Sequence, residues 1–381
     1  MTAERGNRYE DSNATSVGKA REILHHHLQM LWAHPERANE VPPLMLWGPP
    51  GIGKSTVIRE LTDELEIGFI DVRLAQREPV DIRGLPVPRD DREGVDWIIS
   101  SDWPREGQED YVDRGIILFD ELTAADPSLQ VAAYEFILDR RLGKLYEVPK
   151  GWYIVAAGNR TEDAAVARTM SSALANRFLH LELAANSKDW IEWAILNGVE
   201  PNVIAFIRYR PGLLFSMTGN RERGWPSPRS WERVSFELQM AQETGLSKGS
   251  QRTIVEGLVG TGAAIEFLGF VEWAEKIPDV EGMLRGDVSI QFPDRTDQQY
   301  AMVSAAVYIM LRSEDADDLI NGFLKLLLGI PNTWCQFAHH DLTTTLGTLE
   351  RFGLLQSIRD NELHEKVEDK LFHDTEKEDE S

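Results

Sequence analysis

The sequence predicts an α/β core followed by a wholly helical remainder, and three observations carry that expectation. Residues 48–55 read Gly48-Pro49-Pro50-Gly51-Ile52-Gly53-Lys54-Ser55, a complete G-x-x-x-x-G-K-[ST] phosphate loop. It lies between the apolar stretch Leu44-Met45-Leu46-Trp47 and a helical pattern opened by Thr56 and Val57 and continued by Ile58, Leu61 and Leu65. Strand-like and helix-like stretches then alternate, and residues 115–119 are apolar almost throughout, as in a parallel strand covered on both faces. From Asn186 onward the strand pattern does not return, and helical stretches interrupted by Gly and Pro fill the chain.

Taken in order, residues 17–32 form an amphipathic stretch with Ile23, Leu24, Leu28, Leu31 and Trp32 at helical spacing. Its His25-His26-His27 run cannot converge on one ion, because consecutive helical residues point about 100° apart. After the phosphate-loop helix, residues 67–72 read as a strand. Residues 78–113 are rich in Pro, Gly and charge, and they contain the alternating segment Val95-Asp96-Trp97-Ile98-Ile99, which reads as an inserted hairpin. The insert is drawn at about residues 79–112, and a loop this long inside a compact domain is usually functional. A helix at 128–140, a strand at 153–157 ending in Gly158-Asn159 and a strand at 178–183 complete a core of residues 1–185.

Further helices are expected at residues 189–196, 203–208, 230–243, 251–273, 298–312, 316–328 and 343–358. The division expected is a helical lid over 186–265, a helical C-terminal extension over 266–358 and a mobile acidic tail over 359–381. In that tail Leu363, Val367 and Leu371 mark at most one weak helix.

Composition bounds the function. The 381 residues carry 40 Lys and Arg against 63 Asp and Glu, a net charge of −23, which argues against a broad nucleic-acid or anionic-membrane footprint because both need a dense positive surface. A pore lined by basic residues inside a ring stays open as a local exception. No apolar run approaches the roughly 20 residues that span a bilayer, and residues 1–13 are polar without a signal-peptide core, so a cytoplasmic location is expected. Cys335 is the single cysteine, which excludes intramolecular disulfides and a thiol-rich metal site.

The chemistry rests on two segments. In the phosphate loop, glycines let the backbone curl so that N–H groups face phosphate oxygens, while Lys54 reaches the β and γ phosphates and the Ser55 hydroxyl can ligate Mg²⁺. The second segment, Gly115-Ile116-Ile117-Leu118-Phe119-Asp120-Glu121, is an apolar strand ending in adjacent carboxylates. One such group, Asp120, can hold Mg²⁺ and the other, Glu121, can polarise an attacking water.

With these residues the chain resembles the AAA+ ATPases, and within them the MoxR-like branch of the helix 2 insert clade. Four further segments carry the resemblance over about residues 15 to 260. Ala156-Ala157-Gly158-Asn159 looks like sensor 1, and Ala173-Leu174-Ala175-Asn176-Arg177-Phe178 looks like the segment bearing an arginine finger. Ser227-Pro228-Arg229-Ser230-Trp231 resembles the start of the sensor 2 helix, and Asp81-Ile82-Arg83-Gly84-Leu85 resembles the lead into the insert.

The resemblance implies an AAA+ P-loop fold with a three-layer αβα core, a helical lid, and ATP and Mg²⁺ as cofactors. ATP would be bound by residues 48–56, Asp120 and Arg229, and Mg²⁺ by Ser55 and Asp120. Asn159 would contact the attacking water or the γ phosphate, and Arg177 would act on the nucleotide of an adjacent subunit. Arg160 and Arg168 compete for that role, and Arg229 can act within its own subunit or across the interface. The bland alternatives are a strand-end turn residue for Asn159, an intramolecular salt bridge for Arg177 and helix-start packing for Arg229. The implied activity is a chaperone-like, hexameric ring ATPase that remodels or assembles a protein client, with a von Willebrand factor A domain protein as a partner. A nucleic-acid motor or restriction-type translocase, and an ATP-dependent scaffold with slow turnover, are the alternatives.

Overall fold

The computed structural model describes residues 14–91, 93–108, 111–160, 170, 175–217, 223–274, 279–313 and 315–372. The chain divides into two units, Met1–Ala185 and Asn186–Ser381.

In the first unit the elements run α1 (Val17–Ala33), β1 (Leu44–Trp47), α2 (Lys54–Glu64), β2 (Gly68–Arg73), α3 (Pro79–Arg83), β3 (Leu85–Pro88), β4 (Val95–Ile98) and β5 (Arg114–Asp120). They continue with α4 (Pro127–Asp139), β6 (Arg141–Leu142), β7 (Tyr146–Glu147), β8 (Gly151–Gly158) and β9 (Leu179–Glu182). The Ser16 hydroxyl caps α1 by accepting from the Lys19 amide at 3.2 Å, and the helix buries Ala20, Leu24, Leu28 and Leu31 along one stripe.

Five strands form a sheet in the order β2-β5-β8-β1-β9, and every pairing in it is parallel. Alternation decides which side chains face which layer. Ile117, Phe119, Ile154 and Ala156 join Leu129, Ala133 and Phe136 of α4 in one buried cluster. On the opposite face Tyr153 meets His27 of α1, with a 2.7 Å contact between the hydroxyl and Nδ1. Burial on both faces is why β5 reads as an uninterrupted apolar run. The expected α/β class, a sheet between two helical layers followed by a helical remainder, is the one the chain adopts.

The insert is smaller than the sequence suggested. Ile82 of α3 and Trp103 belong to the main core, and the Trp103 ring lies 4.5 Å from Phe136 and 6.2 Å from Phe119. These two anchors confine the excursion to the β3–β4 hairpin, an antiparallel pair separate from the main sheet. Charge and proline content gave no sign of the anchors, because a single buried Trp has no periodicity.

The second unit contains α5 (Ser187–Leu196), α6 (Pro201–Tyr209), α7 (Pro228–Thr244), α8 (Lys248–Val259), α9 (Thr261–Ala274) and α10 (Val280–Arg285). It continues with α11 (Thr296–Arg312), α12 (Ala316–Gly329), α13 (Asn332–Thr348), α14 (Phe352–Arg359) and α15 (Glu362–Phe372). Among its described residues there is no strand.

Three sequence expectations need correction here. The single helix at 251–273 is two, because Gly260 takes φ +80° between α8 and α9. The helix at 343–358 is also two, with Glu350 at φ +54° between α13 and α14. A boundary at 265/266 would cut through α9, whose Ala263, Ala264, Phe267 and Phe270 are buried together.

The acidic tail is likewise shorter than expected. Residues 362–372 form α15, with Val367 fully buried. The Lys370 ammonium donates to the Leu327 and Leu328 carbonyls at 2.9 and 3.1 Å and also to that of Ile330, neutralising the last turn of α12. Val367→Ala removes two buried methyl groups and should lower unfolding stability by about 2 kcal/mol. An unchanged urea midpoint would show that α15 is not docked.

Candidate nucleotide site

A parallel sheet brings the C-terminal ends of its strands to one edge, so Trp47, Asp120 and Gly158 finish β1, β5 and β8 side by side. The phosphate loop leaves β1 at Gly48. A Cβ there would lie 2.5 Å from Ile52 Cδ1 and 2.8 Å from the Leu183 carbonyl oxygen, so only glycine fits. Gly51 and Gly53 take φ of +85° and +101°, which L side chains rarely adopt. In front of Gly53 an added Cβ would meet nothing within 4 Å, which leaves open space before the start of α2. With Gly53 as N-cap, no side chain caps that helix, so its first amides and positive dipole end suit an anion.

Lys54 is 9% exposed, and its ammonium donates to the Gly48 carbonyl at 2.6 Å, the Pro49 carbonyl at 3.0 Å and Asn159 Oδ1 at 3.0 Å. The Ser55 hydroxyl donates to Asp120 Oδ2 at 2.6 Å. Two oxygen groups of the kind Mg²⁺ prefers are therefore adjacent, and the donor set suits that hard cation. The Glu121 amide donates to Asp120 Oδ1 at 2.8 Å, and Glu121 itself is exposed with φ +58°. A left-handed conformation costs a non-glycine residue about 1 kcal/mol or more. It turns the chain sharply after β5, and the Leu122 amide then bonds the Ala157 carbonyl at 2.9 Å.

Sequence reasoning missed two residues. Thr123, 1% exposed, accepts from the Asn159 amide and donates to the Asn159 carbonyl, both at 3.1 Å, so it clamps that residue at the end of β8. Its proximity to the acidic pair was the available signal. Asp71 on β2 is the other. Burial pushes its carboxyl above the ordinary range, with the Asp120 charge adding to the effect, while Arg73 and Arg59 oppose it. Only strand register could have placed it there, since Arg73 pairs with Asp120 across β2 and β5.

The arginines separate. Arg160 follows β8 at the phosphate-loop edge of the sheet, with an Nη1 contact to Glu182 at 3.2 Å. Arg177 precedes β9, whose Leu179 is level with Leu44 at the start of β1, so it lies at the opposite edge from its own phosphate loop. It is exposed, and among the described residues no carboxylate pairs with it. Arg168 and the Ala173-Leu174 part of its segment lie outside the described residues. Arg229, in the second unit, is the exposed second residue of α7, whose start is closed by a reciprocal Ser227–Ser230 capping box with Pro228 in the first position. Among the described residues no group of three or more His, Cys, Asp or Glu could hold a metal, and no helix is long and apolar enough to cross a membrane.

No family model and no curated protein sequence matches the chain. Among solved structures, a point mutant of RuvB from Thermotoga maritima is 16% identical, with a TM-score of 0.36, over 79% of this chain and 88% of that one. A RuvB Holliday junction branch migration motor from the same organism is 17% identical, with a TM-score of 0.38, over 71% of this chain and 79% of that one. A candidate ATPase from Cytophaga hutchinsonii is 10% identical, with a TM-score of 0.28, over 79% and 81%. Likenesses this distant assign neither activity nor partner.

Proposed function

We propose that the chain is an ATPase of the AAA+ type, MoxR-like in its motifs, that works as a ring of subunits, six by resemblance, to remodel or assemble a protein client. The observation that carries this reading is the convergence of Lys54, Ser55, Asp120, Glu121 and Asn159 at one edge of the sheet. Bound ATP supplies the phosphoanhydride bond and Mg²⁺ the charge that balances its oxygens. Lys54 and the α2 amides hold phosphate, while Ser55 and Asp120 hold the cation. Glu121, free of the strand and exposed, accepts a proton from water, and Asn159 orients that water without adding charge. Arg177, turned away from its own site, acts on a neighbour's nucleotide.

The β3–β4 hairpin favours a protein client. Leu85 and Ile98, 56 and 60% exposed, share one face of this small sheet, and Val95 and Trp97, 53 and 44% exposed, share the other, so each face offers apolar side chains suited to a polypeptide and poorly suited to phosphates. A von Willebrand factor A domain protein is the partner that the resemblance suggests. The decisive experiment retains bound partners on the Glu121→Gln protein with ATP, using its own cell extract, and measures turnover of the wild type with DNA, RNA and the retained protein. Stimulation by the protein is expected. Stimulation by nucleic acid alone, rising with length and lost with salt, would replace this reading with a motor.

The hairpin gives a second expectation. Trp97→Ala with Ile98→Ser should leave ATP affinity within about twofold, since surface substitutions away from special features have small effects, and should abolish client stimulation. Lost nucleotide affinity in the folded variant would place the hairpin in the nucleotide site instead.

A further inference from the structure

At the edge of the sheet opposite the phosphate loop, a cavity of about 270 Å³ opens between the segment preceding β1, the end of α4 and the start of β8. Three charged residues line it: Glu40, Arg140 and Arg177. The Glu40 carboxylate accepts from Arg37 Nε at 2.9 Å, so its charge is already offset. Among the described residues Arg140 has no such partner. It is 6% exposed, closes α4 in a left-handed conformation at φ +54°, and uses one nitrogen, Nη2, for both of its bonds, to the Pro149 carbonyl at 3.0 Å and the Trp152 carbonyl at 2.7 Å. Among the described residues Nε and Nη1 carry no hydrogen bond, and no carboxylate lies within ion-pair distance. The Glu147 carboxylate acts on it only through longer-range charge. Burial lowers its pKa to about 10, against the raising effect of Glu147.

A buried guanidinium with donors to spare is costly unless an anion reaches it, and the second arginine lining the cavity stands exposed to solvent. We infer that this cavity is an oxyanion site of the phosphate class, with Arg140 holding the anion from the protein side and Arg177 closing on it from outside. A guanidinium fork matches phosphate geometry, and two forks recognise it far better than one. The anion has two sources. It is free inorganic phosphate, or it is the terminal phosphate of a nucleotide held by a second copy; this second source rests on the ring reading above and would make Arg140 a further positioning residue for hydrolysis.

The test uses the full chain carrying Lys54→Ala, so that the phosphate loop contributes little. Inorganic phosphate is titrated calorimetrically at fixed ionic strength, with chloride as control. Saturable binding is expected, weakened about 10- to 100-fold by Arg177→Gln and by Arg140→Lys, which keeps the charge but loses the fork. Arg140→Lys is chosen because Arg140→Gln abandons two carbonyls and can unfold the chain. In a second arm, Lys54→Ala subunits are mixed with Glu121→Gln subunits loaded with ATP. If the monomer binds no phosphate yet mixed assembly weakens by the same factor with Arg140→Lys, the source is the neighbour's nucleotide. Saturable phosphate binding without assembly keeps the site and removes the ring. No effect of either arginine in both arms overturns the proposal.

Discussion

The Glu121→Gln protein is expected to bind ATP as tightly as the wild type and to keep it, while Lys54→Ala loses the nucleotide. The two substitutions remove different things. Glu121 is exposed beyond the end of β5, where its backbone amide donates to Asp120 Oδ1, so the side-chain amide variant leaves Ser55, Asp120 and Lys54 in place and removes only the proposed proton acceptor. A positioned general base contributes about 10² to 10⁴ in rate, so turnover should fall by that factor at unchanged affinity. Lys54 is buried in the loop itself, and its ammonium is the group proposed to meet the phosphate charge. Losing a charge-assisted contact of this kind should weaken ATP by on the order of 10- to 100-fold or more. Equilibrium binding of a fluorescent ATP analogue, with single-turnover hydrolysis alongside, separates the two. Equal loss of affinity in both variants would sink the division of roles.

Mixed rings should regain activity that neither parent has. Subunits with Arg177→Ala retain a working phosphate loop, and subunits with Lys54→Ala retain a working Arg177, so some interfaces in a mixture pair one intact half with the other. The geometry motivates the experiment: Arg177 is exposed at the edge of the sheet opposite its own Lys54 and has no carboxylate partner among the described residues. An arginine finger contributes about 10³ to 10⁵ in turnover, on the order of 4 to 7 kcal/mol of barrier, so a minority of repaired interfaces should stand well above background. Mixed rings that form, as seen by mass photometry, and yet show no rescue would exclude Arg177 from this role. The same cycle applied to Arg160, which contacts Glu182 at the phosphate-loop edge, should give none.

Local pattern carried a large part of the fold. The strand Leu44–Trp47 stands where the apolar stretch placed it, and β5 coincides with the apolar run to within a residue at each end, because both are buried on two faces and have no alternative period. Helices were legible where an apolar stripe was long and its caps were ordinary, as at Val17–Ala33 and Ala316–Gly329. Breaks within a continuing apolar pattern were not. Gly260 interrupts α8 and α9 without interrupting their hydrophobicity, and Glu350 does the same between α13 and α14 despite being a residue that favours helices.

What the sequence alone determined is the set of groups on which the nucleotide reading rests: the residues of the phosphate loop, the adjacent carboxylates of Asp120 and Glu121, and an α/β core to carry them. Their types and spacing are local, and a loop whose glycines must take left-handed backbone angles is written into the chain itself. Only the tertiary structure decided what meets what across long separations. Strand order brought Asp71 within reach of the Asp120 charge and sent Arg177 to the far edge of the sheet, and the turn after β5 put Thr123 against Asn159. Packing drew Trp103 out of a polar insert into the core and docked Lys370 of an acidic tail onto the last carbonyls of α12. These pairings depend on burial and register, which sum over residues far apart in the chain, so no local pattern records them.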